Sequence, residues 1–132
     1  MKKEAGFTVI ELVIFFVILV VLGAFFWIQK VDLENSFDDQ MRKTSINAIY
    51  HNLTEIYHAK NGYFPSTINA EKLTAIDPDL LIDPYGIALG EPGSDFSYEG
   101  VNCDNKGRCK DFILSSQMEK EATYTRTASS KE

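Results

Sequence analysis

GFTVIELVIFFVILVVLGAFFWIQK, residues 6–30, is the stretch from which the rest of the chain is read. From Phe7 to Ile28, 19 of 22 residues are apolar, the exceptions being Thr8, Glu11 and Gly23. As a helix this run would be roughly 33 Å long at about 1.5 Å per residue, enough to cross a bilayer core. Lys2 and Lys3 precede it. By the positive-inside tendency they keep the N-terminus cytoplasmic and send the rest across. Trp27 stands at the far end, where an interfacial indole is favoured. A cleaved secretory signal fits poorly, because the run exceeds the usual h-region of about 7–15 residues and no A-x-A-like site comes after it.

The remainder is a different material. From Gln29 onward 38 of 104 residues are apolar, about 37%, so the whole-chain value of 45% is an average over two parts. A length of 132 residues allows one small domain with an appendage. The net charge of −6 argues against nucleic acid as the main partner, since phosphate neutralisation needs a basic face. Two cysteines are too few for a disulfide-built scaffold. No nucleophile elbow, phosphate loop, zinc motif or Cys–His arrangement is present, so neither an enzyme nor a cofactor is expected.

Glu11 separates a plain anchor from something more specific. A carboxylate early in an apolar helix costs on the order of a few kcal/mol unless it is paired. A cut between Gly6 and Phe7 would create an α-ammonium at Phe7. Glu11 would then lie one helical turn away, or near the Phe7 of a neighbouring subunit.

Gly6-Phe7-Thr-Val-Ile-Glu11-Leu, behind a short basic leader and ahead of a long apolar run, resembles the class III signal of type IV pilins and of type II secretion pseudopilins. The resemblance implies cleavage after Gly6 by a prepilin peptidase and N-methylation of Phe7. It further implies assembly through Glu11 and Phe7 into a helical homopolymer, with minor pilins, an inner-membrane assembly platform and a motor ATPase as partners. Many members carry a proline late in the apolar segment; here none occurs before Pro65. Any melting of the helix in a filament would centre on Gly23, the one helix-weakening residue of the span.

No turn signal separates Ile28 from the residues after it, and Gln29–Lys60 contains neither Gly nor Pro. Ile46, Ile49, Tyr50, Leu53, Ile56 and Tyr57 fall on one helical stripe, with Lys43, Asn47, His51, Glu55 and His58 opposite. Asn61-Gly62 ends the helix by C-cap chemistry. Between residues 29 and 45 apolar positions are few, and Asp32, Glu34, Asp38 and Asp39 are expected to face Arg42 or Lys43 of neighbouring subunits. His51, Glu55 and His58 have a spacing that could hold a metal, but a polar helix face collects such residues anyway. The Asn52-Leu53-Thr54 sequon lies mid-helix and is read as chance.

Beyond Gly62, Tyr63-Phe64-Pro65 is expected to turn two aromatics toward the helix stripe. Tyr57 to Pro65 resembles the corresponding segment of pilins and pseudopilins. Asn69–Leu73 reads as the start of a short helix capped by Asn69. Strands are expected at Phe96–Val101, Asp111–Ser115 and Tyr124–Arg126. Cys103 to Cys109 reads as a hairpin whose ends could be tied by a disulfide, two free thiols or half a zinc site being the alternatives. Asp83-Pro84-Tyr85-Gly86 resembles a loop of major pseudopilins. Asp77, Asp79 and Asp83 are weak calcium candidates, since no EF-hand spacing is present. Ala128–Glu132 reads as a disordered tail.

The expected fold class is α+β and type IV pilin-like: a very long N-terminal helix packed on a small antiparallel sheet of 2–4 strands. The expected divisions are a cleaved leader at 1–6, a transmembrane and filament-core helix at 7–28, its amphipathic continuation at 29–61, and a small extracytoplasmic domain at 62–132. The expected function is a pilin serving adhesion, twitching motility or DNA uptake. The alternatives are a secretion pseudopilin and a membrane-anchored binding module that does not polymerise. Before assembly the chain would sit in the cytoplasmic membrane, and afterwards in a periplasmic or cell-surface filament. Loss of Lys2, Lys3 and Glu4 on maturation would leave 126 residues and take the net charge from −6 to −7.

Overall fold

The computed structural model describes residues 6–129. The leader up to Ala5 and the end of the tail, 130–132, lie outside the described residues. The chain divides into two units, one through Asn35 and one from Ser36 onward. In the first, helix α1 (Val9–His51) begins, and every residue from Gly6 to Glu34 is exposed. Gly23 sits within unbroken helix.

The second unit is the head. Here α1 acquires a buried face through Ile46, Ile49 and Tyr50. The chain then passes through a π-helical stretch, Asn52–Tyr57, and a short helix α2 (His58–Asn61). Gly62 closes this helix at φ 78°, a left-handed conformation that costs glycine little, and its N–H donates to His58 O at 2.7 Å.

The π-helical stretch corrects the expected stripe. Thr54 Oγ1 donates to Tyr50 O at 2.9 Å, which competes with the helical ladder. The wider turn re-aims the residues beyond it. Leu53 is fully buried, but Ile56 is 39% exposed and Tyr57 only half-buried, while Asn52 takes an inward position at 4% exposed. Asn52 Nδ2 donates to Thr74 O at 2.6 Å. Burial of this side chain also removes the sequon from reach of a glycosylating enzyme.

The sheet is antiparallel and four-stranded. Strands β2 (Phe96–Cys103) and β3 (Arg108–Ser116) form the expected hairpin, each longer than its apolar core suggests. β1 (Phe64–Pro65) and β4 (Tyr124–Thr127) both pair with β3, β1 at Arg108–Cys109 and β4 at Ile113–Ser116. Tyr63-Phe64-Pro65 is thus partly a strand rather than only a turn. Asp111 lies between these two pairings. Its Oδ1 accepts from Phe112 N at 2.7 Å and Ala128 N at 2.9 Å. Ala128 packs partly against the core, which removes it from the expected disordered tail.

Asn69–Leu73 corrects another expectation. Asn69 does cap, accepting Lys72 N at 3.1 Å on its side chain, but the chain makes only a turn there. The one helical turn in this loop region is a 3₁₀ turn at Pro78–Leu81, capped by Asp77, which accepts Asp79 N at 3.1 Å.

Phe112 is fully buried at the centre of the core. Phe64 meets it edge-on at 4.8 Å between centroids, Tyr98 stacks on it at 5.8 Å and Tyr50 lies at 6.0 Å. The Tyr98 hydroxyl donates to Pro65 O at 2.6 Å, and burial pushes its pKa well up.

A charged cluster lies one turn earlier on the same buried face of α1. Arg42 is 1% exposed. Its Nη1 meets Asp39 Oδ1 at 2.9 Å, its Nε and Nη2 meet Asp95 Oδ2 at 2.9 and 2.8 Å, and Nη2 reaches Glu119 Oε1 at 3.4 Å. Asp39 also accepts the backbone N–H groups of Glu119 at 2.8 Å and Lys120 at 3.0 Å. Lys43 Nζ meets Glu121 Oε2 at 2.6 Å. Asp39, Arg42 and Lys43, expected to meet neighbouring subunits, therefore find partners within their own chain.

Cys103 and Cys109 are joined by a disulfide across the β2–β3 ladder. Gly100 lies beneath it. A Cβ there would stand 2.6 Å from Cys109 Sγ and 3.1 Å from the backbone Cα of Ser66.

Three outcomes are expected for the full chain in detergent, measured by urea denaturation through the near-ultraviolet signal of the head's tyrosines. Arg42→Ala strands the buried Asp39 carboxylate and destabilises the head by about 3–5 kcal/mol. Gly100→Ala destabilises it by about 1–3 kcal/mol through overpacking against the disulfide and Ser66. Burial raises the pKa of Asp39, but the N–H groups of Glu119 and Lys120 and the Arg42 guanidinium outweigh this and hold it below its ordinary 3.8. Its stabilisation is therefore complete above that value and is lost as the pH falls through the lower folded one. Asp39→Asn is less stable at neutral pH and loses less on acidification than the parent chain.

Candidate processing and assembly site

The junction expected to be cut is accessible. Gly6, Phe7 and Thr8 precede the helix and are exposed, with Phe7 82% exposed. Thr8 is the capping residue of α1, and its carbonyl accepts Glu11 N at 3.0 Å and Leu12 N at 3.2 Å. Phe7 lies one residue outside that cap. The i,i+4 relation on a helix surface that the sequence allows between Phe7 and Glu11 is therefore not made within one chain.

Glu11 stands in the first turn of α1. Thr8 and Glu11 have the spacing of a capping box, and a carboxylate in a first turn also suits the positive end of the helix dipole. That local benefit does not explain the surroundings. Val9, Ile10, Leu12, Val13, Ile14 and Phe15 are all exposed, so the carboxylate sits within an apolar surface with no protein covering it. An apolar helix exposed on all sides requires a non-aqueous environment, whether lipid or other helices. The helix is long and apolar enough to cross a membrane, with a mean hydropathy of 3.1 in its most apolar window and none of that window buried.

The other sequence-marked residues do not form a metal centre. Asp77 caps the 3₁₀ turn. Asp83 is buried, and its carboxylate accepts Tyr85 N at 3.0 Å, Ile87 N at 2.8 Å and Asp95 N at 2.9 Å. Asp77, Asp79 and Asp83 do not converge. Among the described residues no group of three or more His, Cys, Asp or Glu side chains could hold a metal ion. His58 stacks on Phe64 at 4.6 Å and His51 meets Tyr50 edge-on at 5.6 Å, so the His51-Glu55-His58 face has other uses. Asp83 as the organiser of its loop is foreshadowed by the turn chemistry of Asp83-Pro84-Tyr85-Gly86. The buried Arg42 cluster has no such local signal.

A search of curated proteins and a search of solved structures each found no match. A family model described as the prokaryotic N-terminal methylation motif matches residues 1–27. Those residues hold the basic leader, the Gly6–Phe7 junction, Glu11 and the apolar run up to Trp27. The chain thus carries the class III signal of type IV pilin- and pseudopilin-like precursors, on a long helix packed against a small antiparallel sheet.

Proposed function

We propose that the chain is a structural subunit of a type IV pilus-type filament. The observation that carries this reading is the first half of α1: residues 9–28 fall almost wholly within an N-terminal methylation motif, are exposed and apolar on all sides, and hold one carboxylate, Glu11, in the first turn. Prepilin peptidase removes residues 1–6 and methylates the new N-terminus at Phe7. The N-terminal helices of many copies then bundle, which takes their apolar surfaces away from lipid and water together. Glu11 of one copy meets the Phe7 ammonium of another in a low-dielectric setting, where a charge pair is far stronger than in water. The head, from Ser36 onward, coats the outside. An inner-membrane platform and a motor ATPase add and remove subunits, and the finished fibre serves adhesion, twitching motility or DNA uptake.

The second reading is a pseudopilin of type II secretion. The Asp83–Gly86 loop favours it, because that unit resembles one in major pseudopilins. The hairpin disulfide Cys103–Cys109 favours the pilus, and the pilus is the reading adopted.

Two measurements test the proposal. Mass spectrometry of assembled material is expected to find a methylated N-terminus at Phe7, and an intact Met1 there would overturn the processing step. Glu11→Ala is expected to leave membrane insertion and cleavage intact while filaments disappear. Normal filaments from that variant would refute the pairing of Glu11 with Phe7.

A further inference from the structure

Of the three arginines, Arg42 meets three carboxylates and Arg108 meets Asp104. Arg126, on β4, meets none among the described residues, in a chain with 19 acidic residues against 13 basic ones. Its guanidinium lies 4.3 Å from the centre of the Tyr50 ring, and its Nε is buried with no hydrogen-bond partner. A half-buried guanidinium that only an aromatic face holds is a cation still in need of an acceptor.

The packing that holds Arg126 also aims it. Tyr50 is buried, and Leu114, opposite Arg126 in β3, is fully buried. With Nε enclosed, the two Nη groups are the donors left for an acceptor from outside. A guanidinium fixed on an aromatic ring has already given up much of the freedom that pairing would cost, and its planar fork suits a carboxylate.

The other flank of α1 carries the complementary charge. β4 reaches α1 at Tyr50, through Arg126, and at Asn47, whose Oδ1 lies 3.1 Å from the Tyr124 hydroxyl. The loop of residues 67–95 reaches α1 at Ala48 and Asn52 instead, about 150° round the helix at about 100° per residue. That loop has six acidic residues and one basic one, Lys72. Asp77 and Asp83 hold its own turns and Asp95 meets Arg42. Glu71, Asp79 and Glu91 are exposed and meet no cation among the described residues. A cationic flank and an acidic flank facing apart cannot meet within one chain. On successive copies they meet head to tail, a contact that does not close on itself and so continues along a fibre.

We infer that the acidic loop of a second copy, residues 67–95, docks on the β4 flank and places a carboxylate from Glu71, Asp79 or Glu91 on the Nη groups of Arg126. The inference rests on the filament reading and names a contact between heads that accompanies the bundling of the helices.

The test uses cells in which the full chain is the sole source of filaments, recovered by shearing and sedimentation. Arg126→Gln is expected to lower the assembled fraction about tenfold, and Arg126→Glu to remove filaments. Glu71→Lys, Asp79→Lys and Glu91→Lys, made together, are expected to remove filaments as well; all three positions are exposed, so the head stays folded. Adding Arg126→Glu to that triple variant is expected to restore assembly. An unchanged assembled fraction with Arg126→Gln would overturn the inference and leave the filament reading standing. So would normal filaments from the triple variant, or no recovery when the charges are exchanged. A parent chain that forms no filaments would remove the filament reading and the inference with it.

Discussion

A guanidinium removed from water costs several kcal/mol unless carboxylates and hydrogen bonds replace its hydration. Arg42 is in that position, and the arrangement of the head depends on keeping it paired. Asp39 lies one turn earlier on the same helix, Asp95 comes from the loop before β2, and Glu119 from the segment between β3 and β4. Two separate parts of the chain are thus drawn to one side of α1. Asp39 does a second task by accepting the N–H groups of Glu119 and Lys120, so the same carboxylate that neutralises the guanidinium also fixes the turn into β4. The Asp83–Asp95 loop is tied into this arrangement by Asp83, whose carboxylate accepts the Asp95 N–H.

Further along the same face the constraint is apolar. Phe112 receives aromatic contacts from the helix side, from β1 and from β2, and the sheet is seated on α1 through it. Held by charge at Asp39 and Arg42 and by apolar contacts from Ile46 to Leu53, this one face of α1 has little latitude to rotate. The π-helical stretch is where that orientation is given up. Past Leu53 the chain no longer keeps to the stripe, and the polar Asn52 is brought inward instead.

The parts of this fold legible in the sequence are those with a local period. The apolar run and its Gly6–Phe7 junction, the stripe as far as Leu53, the cap at Gly62, and the strand-forming runs of β2 and β3 all depend on residues a few positions apart. Arg42 is not legible in this way, because its local neighbours, Asp38, Asp39 and Lys43, look like a solvated charge run. Two of its partners stand 53 and 77 residues away. Ile56 and Tyr57 mislead for a different reason. They continue an α-helical period, and only the tertiary pull on Asn52, through Thr74, and the hydroxyl of Thr54 change the turn that carries them. Of the candidate site, the type and spacing of Gly6, Phe7 and Glu11 are readable, whereas the position of Phe7 outside the helix cap is not.

The sharing of one edge of β3 by β1 and β4 has a consequence for the order in which the head can be completed. β1 covers that edge only at Arg108–Cys109, and Ile113–Ser116 wait for residues 124–127. The segment leading to β4 also delivers Glu119 to Arg42 and Glu121 to Lys43. A nascent chain ending before Tyr124 therefore has a bare strand edge, and one ending before Glu119 also leaves the buried Asp39 carboxylate without the two backbone N–H groups it accepts. Both are states that invite pairing with other chains. A frameshift or early stop in this short stretch would be far more damaging than its length suggests, because the head acquires its closure from residues that emerge late in synthesis.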